Sequence, residues 1–354
     1  MRTELFDYEL PDELIARRPP EERDGGRLLV VRGDRCEDRR VSELPELIEP
    51  GSLVVVNDSR VIRARLLGHK RPSGGKTEIL LLERLEREAG AERWLALGRA
   101  SKALKPGSVV DVGALAVEVI DRASDGTLYV RLVAEGEIES VLERHGHVPI
   151  PPYLGREDDA DDVLRYQTVY ARRSGSVAAP TAGLHLTHEL FSAFAERGIE
   201  LCTLTLHVGL GTFRPVTTDE LEDHPIHEEP IEVSEELALR IEHTRRRGGK
   251  VVAIGTTVIR ALESAADPAR PGHVRPISER TRLFIRPGYR FGVVDALLTN
   301  FHLPKSTLLA LVAAFAGTER VLSAYRRAVA ARYRFLSYGD AMWIPARCSA
   351  EEPA

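Results

Sequence analysis

The chain has 354 residues and a mass of 39.2 kDa, too long for one average domain and comfortable for two. Hydrophobic residues at 43% and charged residues at 29% are ordinary globular proportions, which excludes a fibre, a disulfide scaffold and a mainly disordered chain. A net charge of −5 excludes a uniformly basic nucleic-acid coat.

In chain order, Arg27 to Val31 and Leu53 to Val56 are short β-branched runs joined by a segment with helical spacing, Ser42 to Ile48. From Val61 to about Val133 six short alternating runs follow at even spacing: Arg63–Leu67, Thr77–Leu82, Trp94–Leu97, Val109–Val112, Ala116–Ile120 and Leu128–Val133. Gly-rich turns separate them and helical periodicity is absent, so they predict a small antiparallel barrel. Glu137 to His145 reads as a short helix, and His147 to Tyr153 as a rigid, Pro-rich extended connector.

Beyond Tyr153 the pattern turns to strand–turn–helix. Ser176–Ala179 leads into a helix over Thr187–Arg197, and Ile199–Leu206 alternates as a strand. Ser234 can cap a helix that Gly248-Gly249 stops after Arg247. Lys250–Ile254 is a buried-type strand feeding a helix over Thr256–Ala266; Leu283–Ile285 is a further strand, and Ser306–Ala316 and Thr318–Arg332 are helices. This is an α/β arrangement with a mostly parallel sheet. Because α/β elements flank the barrel on both sides, residues 62–150 are expected as a barrel domain inserted into a larger domain of residues 1–61 and 151–354.

The longest unbroken apolar run, Leu308 to Ala316, is about half of the ~20 residues a bilayer span needs. Met1 to Asp7 carries an acid at position 4 with no apolar core behind it, so no signal peptide is expected. Cys36, Cys202 and Cys348 are odd in number and far apart, which fits a reducing cytoplasm. His185 with His188 and His224 with His227 stand three apart, but Pro225 breaks the helix between the second pair and finger-type cysteines are missing. No metal is expected.

Charge is divided along the chain: −4 over residues 1–149, −11 over residues 150–239 and +11 over residues 240–340. The basic segment can pair with the acidic one or neutralise phosphates, and composition leaves both open.

Several turns at predicted strand ends carry polar groups. Gly255-Thr256-Thr257 opens a helix after a buried strand, giving free N–H groups and two hydroxyls for a carboxylate or ribose oxygen, with Arg260 a turn further in. Pro180-Thr181-Ala-Gly183-Leu-His185 lies at a second such turn, and ligands of open α/β sheets bind at that edge. His207-Val-Gly209-Leu-Gly211 contains GxG, but Arg214 leaves the dinucleotide fingerprint incomplete. Asp295, Asn300 and His302 form a dense polar cluster before a capped helix, and Asp340 stands among apolar residues.

Read together, Asn57-Asp-Ser-Arg60-Val, Ala179-Pro-Thr-Ala-Gly-Leu-His185, Leu206-His-Val-Gly-Leu-Gly-Thr-Phe213, Gly255-Thr-Thr257, Asn300-Phe-His-Leu-Pro304 with Ser306-Thr-Leu308, and Ser337-Tyr-Gly-Asp-Ala-Met342 resemble the S-adenosylmethionine:tRNA ribosyltransferase-isomerases of queuosine biosynthesis. Leu186 departs from the aromatic expected after Gly-Leu-His. The resemblance implies a larger α/β domain carrying a small β-barrel. It also implies a reaction in which the ribosyl part of S-adenosylmethionine moves onto 7-aminomethyl-7-deazaguanine at the wobble position of a tRNA with a GUN anticodon. Isomerisation then gives epoxyqueuosine-tRNA, adenine and methionine. S-adenosylmethionine would be a consumed co-substrate, with no other cofactor, no membrane partner and a monomeric protein.

On that basis His185, Asp295 and His302 are expected as acid–base groups around the ribose. Thr181, Thr256, Thr257 and Asn300 are expected to hold hydroxyls and the methionyl carboxylate, and Arg60 to face RNA or carboxylate. Gly183, His207, Gly209, Gly211, Arg260 and Asp340 complete the expected substrate site. Phosphate contacts are expected from Arg63, Arg65, Lys70, Arg245, Arg246, Arg326 and Arg327. The alternatives are an S-adenosylmethionine-dependent tRNA methyltransferase, although no glycine-rich methyltransferase loop follows the first strand, and a non-enzymatic RNA-binding module.

Overall fold

The computed structural model describes residues 1–88, 90–209 and 216–348. Strands β1 (Arg27–Arg32), β2 (Arg35–Arg40) and β3 (Leu53–Asn57), with the one-turn helix α1 (Leu44–Leu47) between the last two, precede a short strand β4 (Ser59–Val61). Six strands then follow: β5 (Arg65–Lys70), β6 (Gly75–Glu88), β7 (Ala91–Ala100), β8 (Val109–Val112), β9 (Leu115–Arg122) and β10 (Leu128–Ala134). They pair antiparallel and close in the order β10-β7-β6-β5-β8-β9. Alternate residues, among them Leu66, Ile79, Trp94, Val110, Val117 and Val130, fill the barrel, and α2 (Ile138–His145) turns Ile138, Val141 and Leu142 onto the same core.

The remainder alternates: α3 (Ala160–Arg165), β11 (Arg173–Ser176), α4 (His188–Glu196), β12 (Glu200–Leu206), β13 (Glu229–Val233), α5 (Glu235–Arg246), β14 (Val251–Ile254), α6 (Thr256–Ser264), β15 (Ile277–Thr281), β16 (Ala296–Asn300), α7 (Thr307–Ala316), α8 (Thr318–Ala330) and β17 (Ala341–Ile344). Nine strands join in one sheet, β15-β13-β12-β3-β14-β16-β17-β1-β2, while β11 pairs with β4 apart from it.

The sheet has a parallel centre, β12-β3-β14-β16, and mixed flanks: β13, β15 and β2 pair antiparallel, and β17 runs antiparallel to β16 but parallel to β1. Every residue of β3, β14 and β16 is buried, as befits strands covered on both faces. Register sets Leu53 opposite both Glu200 and Val251, and Val252 opposite Ala296. Asn57, Leu206, Ile254 and Asn300 therefore end on one edge.

Two sequence expectations move. Leu283–Ile285 is not a strand. Ile285 is buried and Leu283 packs against the core, so these residues are apolar for packing rather than pairing. The edge strand is instead the polar, largely exposed β15, which carries no apolar alternation to read. β16 and β17 are hidden inside motifs that read as polar loops. Helix α7 is buried at every position from Leu309 to Ala316, with the Ser306 hydroxyl accepting from the Leu309 N–H at 3.2 Å. Among the described residues no single helix is long and apolar enough to cross a membrane.

Candidate functional site

At the carboxyl edge of the central strands lies a cavity of about 660 Å³. Its walls come from four chain reversals: Thr181 and Ala182 after β11, Val208 after β12, Gly255 to Thr257 after β14, and Thr299 to Leu303 at the end of β16. Tyr153 of the Pro-rich connector and Ser337 close it.

Each wall has a local cause. Gly255 turns β14 into α6 at φ +98°, a left-handed conformation that L side chains rarely adopt. No side chain caps α6, so its first-turn N–H groups and the Thr256 and Thr257 hydroxyls stand at the cavity wall. Asn57, fully buried, binds β3 to β12: its Nδ2 donates to the Leu206 carbonyl at 2.9 Å, and its Oδ1 accepts from Leu206 N–H at 3.0 Å and Ser59 N–H at 3.1 Å.

Asn300 is 2% exposed and lines the cavity. Its Nδ2 donates to the Leu336 carbonyl at 3.1 Å and to His185 Nε2 at 3.2 Å. His185 Nε2 is thus an acceptor and its proton sits on Nδ1. With both amide hydrogens used, Asn300 Oδ1 remains buried with no partner among the described residues. His302 also lines the cavity. Its Nε2 lies 2.9 Å from the Thr299 hydroxyl, its N–H donates to Tyr325 Oη at 3.0 Å, and its carbonyl accepts from Tyr8 Oη at 2.5 Å. Burial lowers His302 from 6.5 to about 3. Burial also lowers His185 from 6.5 to about 4, with the Arg334 charge acting in the same sense. Both imidazoles are neutral throughout the physiological range and can accept a proton or hydrogen bond without first losing one.

The structure gathers Thr181, Thr256, Thr257, Asn300 and His302 at this cavity and puts His185 directly behind Asn300. Tyr153 and Ser337, whose hydroxyls meet at 2.5 Å, were not expected from the sequence. Only the position of Ser337 inside a quoted motif pointed to it, and Tyr153 had read as part of a spacer.

Other expected residues lie elsewhere. Asp295 precedes β16, at the opposite edge of the sheet, where it accepts from Val251 N–H at 2.8 Å and pairs with Arg245 at 2.5 Å. It braces strand starts and does not reach the cavity, because a strand carries residues five apart to opposite edges. Asp340 is a second brace, accepting from Arg27 N–H at 2.9 Å and Arg334 N–H at 2.7 Å. Gly183 is buried, and a Cβ there would stand 2.1 Å from Tyr170 Oη, so packing is the reason for a glycine at this position.

Arg260 is ion-paired with buried Glu229, which also accepts from Gly209 N–H at 3.1 Å. His207 and Gly209 face a separate cleft of about 810 Å³ beside Trp94 and Glu92 of the barrel, and burial pushes His207 down. Arg60 is half exposed, 3.4 Å from Glu143 of α2. Gly211, with Thr212 and Phe213, lies outside the described residues.

The expected phosphate contacts are mostly occupied. Arg63 donates to the Glu143 carbonyl, Arg65 pairs with Glu78 at 2.7 Å, Arg246 with Glu242, and Arg327 with Asp38 at 2.6 Å. Lys70 is half-buried on β5, and Arg326 is exposed on α8. Of the 18 Lys and Arg between Arg240 and Asp340, 14 have a carboxylate within 4.0 Å. Charge clustered in sequence is dispersed in space: Arg240 and Arg247 of the α5 region share Glu200 of β12, and Arg280 and Arg282 share Glu228.

Comparison with known proteins places these features in a family. The family described as queuosine biosynthesis protein matches residues 3–344. An S-adenosylmethionine:tRNA ribosyltransferase-isomerase of Sorangium cellulosum is 56% identical, covering 97% of this chain and 98% of its own length. Another, from Natranaerobius thermophilus, is 48% identical over 97% and 99% of the two chains. The crystal structure of an S-adenosylmethionine tRNA ribosyltransferase from Thermotoga maritima is similar at 38% identity and TM-score 0.54, covering 96% of this chain and 99% of its own. A chain matched by that family over residues 3–344, and by ribosyltransferase-isomerases at 48% and 56% identity over 97% of its length, belongs to the queuosine biosynthesis protein family.

Proposed function

We propose that this protein transfers the ribosyl moiety of S-adenosylmethionine to 7-aminomethyl-7-deazaguanine at the wobble position of a GUN-anticodon tRNA. Isomerisation to the epoxycyclopentane gives epoxyqueuosine-tRNA and releases adenine and methionine. The observation that carries this reading is the full-length similarity to ribosyltransferase-isomerases at 48% and 56% identity. S-adenosylmethionine is consumed and no resident cofactor takes part. The protein works as a cytoplasmic monomer, with residues 1–61 and 151–354 as the catalytic body and 62–150 as the inserted barrel.

The cavity supports a division of labour. The methionyl carboxylate sits on the first-turn N–H groups and hydroxyls of Thr256 and Thr257, where a helix N-terminus favours an anion. Ribose hydroxyls meet Thr181 and the buried, unpartnered Asn300 Oδ1. The sulfonium makes the C5′ hydrogens acidic, and neutral His302 receives such a proton inside the dry pocket. His185 acts through Asn300, fixing which side of the amide faces the ribose.

The test is to incubate the protein with S-adenosylmethionine and aminomethyl-deazaguanine tRNA, chromatograph the small products and digest the tRNA for mass spectrometry. Adenine, methionine and an epoxyqueuosine nucleoside are expected. S-adenosylhomocysteine would identify a methyltransferase, and absence of turnover a binding module; either ends the proposal. His302→Ala is expected to lower the single-turnover rate by about 10²–10⁴, and a rate near wild type would remove His302 from the chemistry.

A further inference from the structure

One end of the barrel carries cations that the fold does not neutralise. Lys70 ends β5 and Lys76 stands near the start of β6, while Arg99 lies at the end of β7 and Lys102 and Lys105 in the loop to β8. Residues 68–76 and 98–110 contain no Asp or Glu. The next acid along the chain, Asp111, is taken by Arg71 at 2.5 Å. Glu78 stands opposite Arg99 in the β6–β7 register, but it pairs with Arg65 at 2.7 Å. Among the described residues no carboxylate comes within 4.0 Å of Lys70, Lys76, Arg99, Lys102 or Lys105. Lys70 is half-buried and the other four are exposed. Towards the opposite end of the barrel the cations are matched: Arg84 faces Glu92 at 3.4 Å, Arg87 faces Glu137 at 2.7 Å and Arg93 faces Glu86 at 3.1 Å.

The two basic turns are held as one face. Leu104 is buried in the barrel core and carries exposed Lys102 and Lys105 on either side of it along the chain. Ser108 fixes the same loop: its hydroxyl accepts from Lys105 N–H at 3.1 Å, and its N–H donates to the Lys105 carbonyl at 2.9 Å. The β5–β6 turn is tied to this loop's end by Arg71 N–H, which donates to the Val109 carbonyl at 2.9 Å. Between the cations the exposed side chains are small or absent, as at Ser73, Gly74, Ser101 and Ala103. A bulky polyanion can therefore approach closely, whereas the large apolar groups that enter a lipid surface are missing. The path from Lys70 along β5 to Arg65, across its bridge to His147 and along the connector to Tyr153 at the cavity is about 45 Å at most. That lies within the span of a folded tRNA.

We propose that this end of the barrel is a docking surface for the phosphate backbone of the tRNA, away from the nucleotide being modified. The inference rests on the reading of tRNA as substrate. Lys70, Lys76, Arg99, Lys102 and Lys105 supply positive charge to phosphates without reading sequence. The ammonium groups act as point charges, which suits a backbone whose bases differ from one tRNA to the next. The barrel thus holds the nucleic acid while the sheet edge does the chemistry.

Equilibrium binding of aminomethyl-deazaguanine tRNA as a function of KCl tests this with two variants. The barrel variant combines Lys70→Gln, Lys76→Gln, Lys102→Gln and Lys105→Gln. The control combines Arg35→Gln, Arg197→Gln, Arg275→Gln and Arg290→Gln, which removes the same charge from exposed positions of the body. The barrel variant is expected to bind at least tenfold more weakly at low salt, with a log–log salt slope smaller by about three. Its KM for S-adenosylmethionine and its single-turnover rate at saturating tRNA should stay at wild-type values, and the control should bind as wild type. An unchanged affinity and slope in the barrel variant, or equal losses in both variants, would overturn the proposal. In the wild-type protein, acylation of Lys76, Lys102 and Lys105 by an N-hydroxysuccinimide ester is expected to be blocked by tRNA and unaffected by S-adenosylmethionine. Labelling that persists with saturating tRNA bound overturns the proposal whether or not the variants fold. Binding is read without turnover, so a failure of this surface is separate from a failure of the ribosyl-transfer reading.

Discussion

Acid stability offers a test of the buried imidazoles. His185 and His302 have folded pKa values of about 4 and about 3, against 6.5 for the ordinary imidazole. A lowered histidine pKa means that the unfolded chain binds protons the folded protein refuses, so stability rises with pH through this window and is lost as pH falls below 6.5. At pH 5 each group costs about 2 kcal/mol relative to neutral pH, and the pair about 4 kcal/mol, a large share of the 5–15 kcal/mol typical of a folded domain. Burial of His207 acts in the same direction. Carboxylates do not confuse the window. Glu200, bonded to Arg247, is held below its ordinary 4.5, so its contribution is present above that value and fades only below it. Urea unfolding followed by circular dichroism at pH 7.5 and pH 5 should show this loss of about 4 kcal/mol, and His302→Gln should remove about half of it. A loss below about 1 kcal/mol in the wild type would mean that the imidazoles titrate as if solvated, and the geometry built on their neutral forms would fall with it.

Two further outcomes check the corrected placements. Gly183→Ala should destabilise the protein by about 1–3 kcal/mol through overpacking against Tyr170, and Tyr170→Phe in the same chain should recover part of it by removing the oxygen that stands 2.1 Å away; full stability of the single variant would contradict that packing. Asp295→Asn should lower the unfolding midpoint, since it weakens the 2.5 Å pair with Arg245, while the single-turnover rate stays near wild type. A rate loss comparable to that of His302→Ala would return Asp295 to the reaction.

Much of the architecture was legible because local pattern and tertiary role agreed. The six barrel strands alternate with period two, since each has one face in the barrel and one outside it. Val251 to Ile254 reads as a central strand because both its faces are covered. Leu308 to Ala316 reads as a buried helix for the same reason. β15 and β16 were not legible: an edge strand need not alternate, and β16 shares its residues with a polar motif. At the site, Gly255-Thr-Thr257 was readable because a strand end and a helix start are local events. Asp295 was misplaced because its five-residue distance from Asn300 becomes the length of a strand, which separates the two sheet edges.

The amino-acid order alone determined the barrel, the α/β character, the family and most of the polar groups at the cavity, since these rest on short-range pattern and on motifs of a few residues. Only the folded chain decided which cations stay without a carboxylate. Arg245, Arg246 and Arg327 are paired with acids brought close by packing, while Arg23, Arg165 and Arg334, scattered over the sequence, donate to backbone carbonyls instead. Charge compensation depends on distance through space, and distance along the chain does not give it.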